Sequence, residues 1–180
     1  MTRVLLTYAD YAALPDDGRR HELHEGELSV APAPGTRHQR VKINLFATLL
    51  SHVRANRLGE LFDAPTDVIL SDHTVVQPDI LFIEDRMAAR VTERGIEGAP
   101  TLAIEVLSPS TEGIDRQGKL ALYARHDVPY YWIVDPAARV VEASTLEGGS
   151  YRVTGRLAGG QSVALPPFDD LPLDPAALWV

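Results

Sequence analysis

The chain has 180 residues, of which 45% are hydrophobic and 23% charged, and these proportions are typical of an ordinary soluble globular protein. This length favours a single domain that spans residues 1–180. The sequence contains no cysteine, which excludes disulfides, thiolate metal sites and cysteine nucleophiles and fits a cytoplasmic location. No apolar run approaches the length of about 18 residues that a membrane span needs. Tyr8 and Asp10 interrupt the N-terminal apolar residues too early for a signal peptide.

Charge is distributed unevenly along the chain. The formal net charge is −8, which argues against a general nucleic-acid-binding protein, because such proteins are usually basic. Residues 36–58 nevertheless contain no acidic side chain and five basic ones, which are Arg37, Arg40, Lys42, Arg54 and Arg57. The segment therefore carries +5 and the remainder of the chain −13. It forms either the solvated face of a helix or a surface that contacts phosphates or acidic groups.

The predicted elements begin with a short helix that Thr7 caps and Pro15 stops. Residues 20–31 follow with the pattern of a β-hairpin, and Glu25 and Gly26 stand at its turn.

The strongest helix pattern covers residues 37–58. Its apolar face is predicted to consist of Ile43, Phe46, Leu49, Leu50 and Val53, with polar and basic residues on the opposite side. Gly59 is in position to end this helix.

Strands and one further helix complete the prediction. Strand patterns occur at residues 60–63, 66–70, 78–84, 101–107, 130–135, 138–146 and 150–156. A helix over about 112–126, with Leu120, Tyr123 and Ala124 inward, connects two of these strands, and a unit of this length favours a parallel crossover. The proline-rich C-terminus is expected to pack as an extended tail. The fold class is therefore α/β or α+β, with a central mixed β-sheet flanked by helices.

Two acidic residues occupy positions that stability alone does not favour. Asp79 begins the apolar run PDILFI, and Glu105 lies within the run TLAIEVL. A carboxylate in a buried strand is costly unless a charge or a metal compensates it. Two carboxylates on neighbouring strands indicate a divalent cation site, and without metal their repulsion is expected to raise one pKa. The alternatives are a turn cap after Pro78 for Asp79 and a buried ion pair with an arginine for Glu105.

These groups have the chemistry of a phosphodiester-cleaving site. A cation neutralises the phosphate and activates water, and Mg²⁺ takes one or two protein carboxylates with further oxygen ligands. Asp79 and Glu105 supply that number, and the backbone carbonyl of Val106 can add a ligand. Lys119, one of only two lysines among 17 basic residues, can orient the water or stabilise negative charge. Its alternative is an ordinary surface pair with Asp115 at i,i+4 spacing.

An ordered series of motifs along most of the chain resembles a known family. The motifs are ELHEGEL (22–28), Pro32, Pro34, His38, QPD (77–79), EVLSPST (105–111), Asp115, Lys119, Tyr123 and DVPYYWIVDP (127–136). Together they are similar to the Uma2 (Uma-two) family of putative restriction endonucleases, which is placed in the PD-(D/E)XK nuclease superfamily.

The resemblance implies a restriction-endonuclease-like core and a role for four residues. Asp79 and Glu105 are implied to bind Mg²⁺ or Mn²⁺, Lys119 is implied to be the catalytic lysine, and Glu22 matches an additional acidic position of the superfamily. The superfamily lysine stands two residues after the glutamate, where this chain has Leu107. Within the family the lysine is thought to have moved to the next helix, which here carries Lys119.

Other candidate residues have more than one interpretation. Arg37, His38 and Arg40 are candidates for DNA contact, although His38 also fits a polar residue at a helix start. Glu22 is equally compatible with the solvated face of a hairpin. The aromatic residues Tyr123, Tyr130, Tyr131 and Trp132 are expected to pack in the core or a dimer interface rather than to stack on bases.

Two functions follow from these predictions. The first is a Mg²⁺-dependent DNA endonuclease that acts as a homodimer, since two-fold symmetry places two sites on a duplex. The second is a catalytically inert dimeric or nucleic-acid-binding module that retains the nuclease fold.

Overall fold

The computed structural model describes residues 4–108 and 113–180 and has a mixed α and β architecture. Its helices are α1 (Tyr8–Ala12), α2 (Thr36–Asn56), α3 (Leu120–Arg125) and α4 (Pro175–Leu178), with a 3₁₀ helix at Asp85–Arg90 and a π-helical segment at Ile114–Lys119. The strands are β1 (Arg20–His24), β2 (Glu27–Ala31), β3 (Gly59–Asp63), β4 (Val68–Ser71), β5 (Thr74–Val76), β6 (Ile80–Glu84), β7 (Val91–Thr92), β8 (Gly95–Glu97), β9 (Leu102–Val106), β10 (Tyr130–Asp135), β11 (Val140–Glu147), β12 (Ser150–Ala158), β13 (Val163–Leu165) and β14 (Phe168–Leu173).

A central six-stranded sheet has the order β12-β11-β10-β9-β6-β3. Strand β9 pairs in parallel with β10 and antiparallel with β6, so the predicted mixed sheet and the predicted parallel crossover are both confirmed. A second six-stranded sheet, in the order β2-β1-β5-β4-β8-β7, contains the predicted hairpin of β1 and β2. Strands β5, β7 and β8 of this second sheet were not predicted, because each has only two or three residues.

The two faces of the central sheet are packed against different helices. Ile80, Ile104 and Trp132 project into a core cluster that includes the buried residues of α2. Leu81 and Ala103, the sequence neighbours of Ile80 and Ile104, project to the opposite face into a second cluster with the buried side of α3. Because side chains alternate between faces along a strand, Glu105 shares the α3 face with Ala103. The Glu105 side chain therefore points towards the helix that follows β9.

Helix α2 confirms the predicted helix but presents a different face to the core. Its buried residues are His38, Val41, Lys42, Leu45, Leu49 and Val53, whereas Ile43 is 62% exposed. The predicted apolar stripe was therefore wrong at Ile43. Two polar residues, His38 and Lys42, complete the buried stripe because each contacts a carboxylate.

The end of α2 also differs from the prediction. Arg57 adopts the left-handed conformation, and its N–H donates to the carbonyl oxygens of Arg54 and Val53. Gly59 instead begins β3 at a close approach to β6. A Cβ at Gly59 would lie 2.0 Å from the carbonyl oxygen of Ile83, and its φ of +146° is rarely adopted by other residues.

Two further predictions need correction, and one falls partly outside the described residues. The C-terminus is not an extended tail: it forms the β13–β14 hairpin and α4, which bury Phe168 and Leu178. In α3 the buried residues are Leu122 and Tyr123, so Leu120 and Ala124 are only partly inward. Residues 109–112, at the predicted start of that helix, lie outside the described residues.

Within the described ranges, no helix combines the length and apolarity needed to cross a membrane.

Candidate active site

A cavity of about 140 Å³ forms where the first hairpin, the N-terminus of α2 and the ends of β6 and β9 meet. Its lining includes all four residues that the sequence assigned to catalysis, which are Glu22, Asp79, Glu105 and Lys119. These side chains come from four different elements and are all at least 95% buried. Tertiary structure has therefore brought these four side chains to the lining of one cavity.

Glu105 lies in β9 and is 2% exposed. Its Oε1 accepts hydrogen bonds from Lys119 Nζ at 2.9 Å and from the Tyr123 hydroxyl at 2.9 Å. Tyr123 is fully buried, and burial followed by the Glu105 charge raises the pKa of its phenol well above the usual range. The phenol therefore stays a hydrogen-bond donor. Glu105 therefore forms a buried ion pair, in which Lys119 is the cation rather than the arginine that the sequence analysis offered as an alternative.

Lys119 is buried between two carboxylates. Its Nζ donates to Glu105 Oε1 and, at 3.1 Å, to Glu22 Oε1, and the residue is 5% exposed. An exposed i,i+4 pair with Asp115 is therefore not the role of this lysine, although the side chain of Asp115 lies outside the described residues. Lys119 stands at the end of the π-helical segment, immediately before α3.

Glu22 is 3% exposed, so the alternative of a solvated hairpin face is wrong. Besides Lys119, its carboxylate accepts the backbone N–H of Gln77 at 2.7 Å and contacts His24 Nε2 at 3.0 Å. Burial on its own would raise the pKa of Glu22, but Lys119, the His24 hydrogen bond and the Gln77 N–H outweigh burial and lower it to about 2. The carboxylate is therefore ionised and firmly held.

Asp79 lies immediately before β6, with its carboxylate directed at the neighbouring strand. Its Oδ2 accepts the backbone N–H of Val106 at 2.9 Å and lies 3.0 Å from His38 Nε2, while Oδ1 is 3.5 Å from Arg20 Nη1. Burial would raise the pKa of Asp79, but the His38 hydrogen bond and charge, the Val106 N–H and Arg20 together lower it. Asp79 is therefore not the one of the two carboxyl groups that was expected to have a raised pKa.

The sequence did not indicate that Arg20 and His38 are partners of these carboxylates. Arg20 contacts both Asp79 and, at 3.9 Å, Glu22, and its Nη2 donates to the carbonyl of Gln77. His38 reaches Asp79 from the first turn of α2. An arginine in a hairpin and a histidine at a helix start have no local signature, and only their proximity in space reveals these contacts.

The chemistry of the cluster fits a hard divalent cation. Asp79 and Glu105 line the same cavity, and Mg²⁺ usually takes one or two protein carboxylates and keeps several waters. The N–H and C=O of one strand residue project to the same side, so the Val106 carbonyl points towards the edge where its N–H meets Asp79. Within the described residues, no three acidic or histidine side chains converge as a ready-made metal cluster. A cation here would therefore rely on water for its other ligands.

The three candidates for DNA contact differ in their placement. Arg37 and Arg40 are exposed on α2, whereas His38 is 7% exposed and bonded to Asp79. Arg37 and His38 both line a second cavity beside the carboxylate cluster. Tyr131, Trp132 and Tyr123 are buried, as expected for core residues.

The Tyr123 hydroxyl provides a first test of the cluster. Tyr123→Phe is expected to lower the free energy of unfolding by about 2 kcal/mol, because it removes a buried hydrogen bond to a carboxylate. Chemical denaturation would measure the change. Tyr130→Phe is the matched control, since the Tyr130 hydroxyl has no hydrogen bond to a described residue and its removal should have little effect. Equal effects of the two substitutions would contradict the assigned contact.

Comparison with known proteins identifies the family of the chain. The model of the Uma2 family, described as putative restriction endonuclease, matches residues 8–176. The chain belongs to the Uma2 family. An uncharacterized protein of Synechocystis sp., slr1290, is 27% identical over 110 residues. That match covers 59% of this chain and 55% of the relative, so the chain spans little more than half of the relative's length.

A solved structure supports the Uma2 fold. The crystal structure of a putative nuclease belonging to DUF820 from Anabaena variabilis matches with a TM-score of 0.77. The two chains are 22% identical, and the match covers 97% of each. At this identity the similarity establishes the fold, which is the nuclease-like fold expected from the sequence.

Proposed function

We propose that this Uma2 protein is a Mg²⁺- or Mn²⁺-dependent endonuclease that hydrolyses DNA phosphodiester bonds. The observation that carries the proposal is the buried contact of Lys119 with Glu22 and Glu105, in the cavity that Asp79 also lines. Burying a lysine and three carboxylates has a large desolvation cost, and well-packed apolar residues often stabilise a protein equally well. Such a cluster is therefore more readily explained by chemistry than by stability.

The proposed roles follow from the contacts of each side chain. Asp79 and Glu105, with the carbonyl of Val106, would hold the cation, which when bound supplies charge neutralisation and water activation. His38, Arg20 and the Val106 N–H orient Asp79 and keep it ionised.

Lys119 would act on the attacking water or on the developing negative charge of the phosphate. Its ammonium is held by Glu22 on one side and by Glu105 on the other, so its position is defined before substrate binds. Glu22 would serve mainly to position this ammonium, because its other contacts, to Gln77 and His24, also fix the carboxylate.

The alternative function is a catalytically inert module that keeps the fold. One observation favours it: the ammonium of Lys119 already pairs with two of the carboxylates, Glu22 and Glu105. The net charge of −8 also disfavours strong binding to DNA. We also predict that the proposed endonuclease is a homodimer and is located in the cytoplasm, as the sequence analysis expects.

Plasmid nicking distinguishes the two functions. The purified protein is expected to convert supercoiled plasmid to the open circular form with Mg²⁺ or Mn²⁺, and not with EDTA. Glu105→Gln should reduce nicking to the level of buffer, because the variant removes one ligand charge while keeping nearly the same shape. Glu60→Gln is the matched control, since Glu60 is exposed on β3, outside the cavity. Nicking that persists at the wild-type rate in Glu105→Gln would instead support a contaminating nuclease and an inert module.

A further inference from the structure

A second cavity adjoins the carboxylate cluster and is not used in the proposed chemistry. It has a volume of about 370 Å³, within the range of small-molecule sites. His38 and Ser108 line both cavities, so the two cavities adjoin at these residues. A wall of Leu107, Pro136 and Ala137 gives it a largely apolar surface.

The rim of this cavity is suited to an anion. It includes Gly35, the N-cap of the 21-residue helix α2, which has no side-chain hydrogen bond to its first turn and no acidic residue there. The first N–H groups of a helix have no intrahelical partner and favour negative charge. Arg37 stands beside these N–H groups and is exposed. Within the described residues it has no ion pair, in contrast to Arg116 and Arg125, which contact carboxylates.

His38 provides an observation that is independent of the helix terminus. The residue is 7% exposed, its ring lines the cavity, and its Nε2 faces Asp79. Its Nδ1 is buried and has no hydrogen-bond partner among the described residues. Buried polar atoms are normally paired, so this nitrogen indicates that a polar ligand group belongs next to it.

The one acidic side chain on the described lining does not oppose an anion strongly. Asp135 Oδ2 accepts a hydrogen bond from Arg116 at 3.0 Å. Its Oδ1 accepts the backbone N–H groups of Ala137 and Ala138, both at 2.9 Å. The carboxylate is therefore neutralised locally, and it fixes the turn that forms the apolar wall.

We propose that this second cavity binds the nucleotide next to the scissile phosphate. The phosphate of that nucleotide would bind at the N-terminus of α2 with Arg37. The base would lie against Leu107, Pro136 and Ala137, with its polar edge reaching His38 Nδ1. This inference rests on the proposed function, because it assumes that the adjoining cluster receives the scissile phosphate.

Filling the cavity tests the proposal. Ala137→Trp places a large side chain at an exposed position of the wall, and Ala138→Trp makes the same change at the next residue, which is exposed and outside this cavity. Binding of a fluorescein-labelled DNA duplex would be followed by anisotropy in CaCl₂, with a gel to verify that the duplex stays intact. Ala137→Trp should weaken binding about tenfold, the scale of one lost base contact. Ala138→Trp should change it less than about twofold.

Arginine variants test the phosphate end of the site and remain informative if Ala137→Trp does not fold. Arg37→Gln should weaken binding and reduce the slope of log affinity against log salt by about 1. Arg54→Gln is the control, because Arg54 is exposed near the far end of the same helix and also has no ion pair within the described residues.

The outcomes separate this inference from the proposed function. Equal affinities of Ala137→Trp and Ala138→Trp, or no binding of the duplex by the wild-type protein, would overturn the nucleotide site. Plasmid nicking by the wild type together with those equal affinities would leave the endonuclease standing without this site. Weakened binding by Ala137→Trp and Arg37→Gln in a protein that does not nick DNA would keep the site and refute the endonuclease.

Discussion

Lys119→Met is expected to remove most cleavage activity and also to destabilise the metal-free protein. Loss of one preorganised electrostatic group typically lowers kcat by about 10²–10³-fold. The same change leaves Glu22 and Glu105 buried without their shared cation, and loss of one partner of a buried ion pair costs about 3–5 kcal/mol. Nicking rates and denaturation in EDTA would measure the two effects.

The other lysine of the chain is the matched control for Lys119. Lys42 is also buried, but it pairs with Asp63, whose side chain is 51% exposed, and it lies outside the lining of the site. Lys42→Met should therefore keep full nicking activity and lose less stability, because water can solvate the remaining carboxylate. Wild-type nicking by Lys119→Met would refute the assignment of the catalytic lysine.

A double variant separates charge compensation from catalysis. Adding Glu22→Gln to Lys119→Met removes one of the two uncompensated buried charges, so the double variant should regain part of the lost stability. It should not regain cleavage, because the ammonium is still absent. Recovery of activity along with stability would show that Lys119 acts only by holding the fold together.

The stability provided by Glu22 is expected to disappear in acid. Its pKa falls from 4.5 to about 2 on folding, so the folded state binds this proton less readily than the unfolded chain. The contribution is therefore complete above about pH 4.5 and is lost as the pH falls towards 2. A shift of this size corresponds to on the order of 3 kcal/mol. Denaturation in EDTA across this range would measure the difference in unfolding free energy between wild type and Glu22→Gln.

The difference in unfolding free energy between wild type and Glu22→Gln should be largest at neutral pH and should decrease as the pH falls below 4.5. Glu60→Gln again serves as control: Glu60 is exposed and has no ion pair within the described residues, so its difference from wild type should stay near zero at all pH values. A Glu22→Gln difference that does not change with pH would contradict the contacts with Lys119 and His24.

Much of the local structure could be predicted from short-range patterns. The strands around Asp79 and Glu105, the hairpin turning at Gly26 and the long helix α2 all follow from apolar periodicity and turn residues, and the structure confirms them. Strands of two or three residues, such as β5, β7 and β8, escaped prediction because they are too short to show a period.

The predicted core face of α2 illustrates where periodicity is insufficient. Ile43 is apolar and correctly spaced, yet it is exposed, while Lys42 beside it is buried. The buried face of α2 depends on carboxylates that are distant in sequence, because Asp63 pairs with Lys42 and Asp79 pairs with His38. A pattern within one segment contains no information about such partners.

The sequence alone was sufficient to single out the residues that we propose for the chemistry: two acids in apolar strands are costly enough to stand out, and the ordered motifs relate Glu22 and Lys119 to them. How the charges of these residues are balanced depends on the tertiary fold. The alternation of side chains along β9 places Glu105 on the side of the sheet that packs against α3, where Lys119 and Tyr123 contact it. The hairpin of β1 and β2 brings Glu22 to the same ammonium. Arg20 and His38 complete the balance at Asp79. The ionisation of a buried carboxylate depends on the charges within a few ångströms, and folding, not sequence separation, sets those distances.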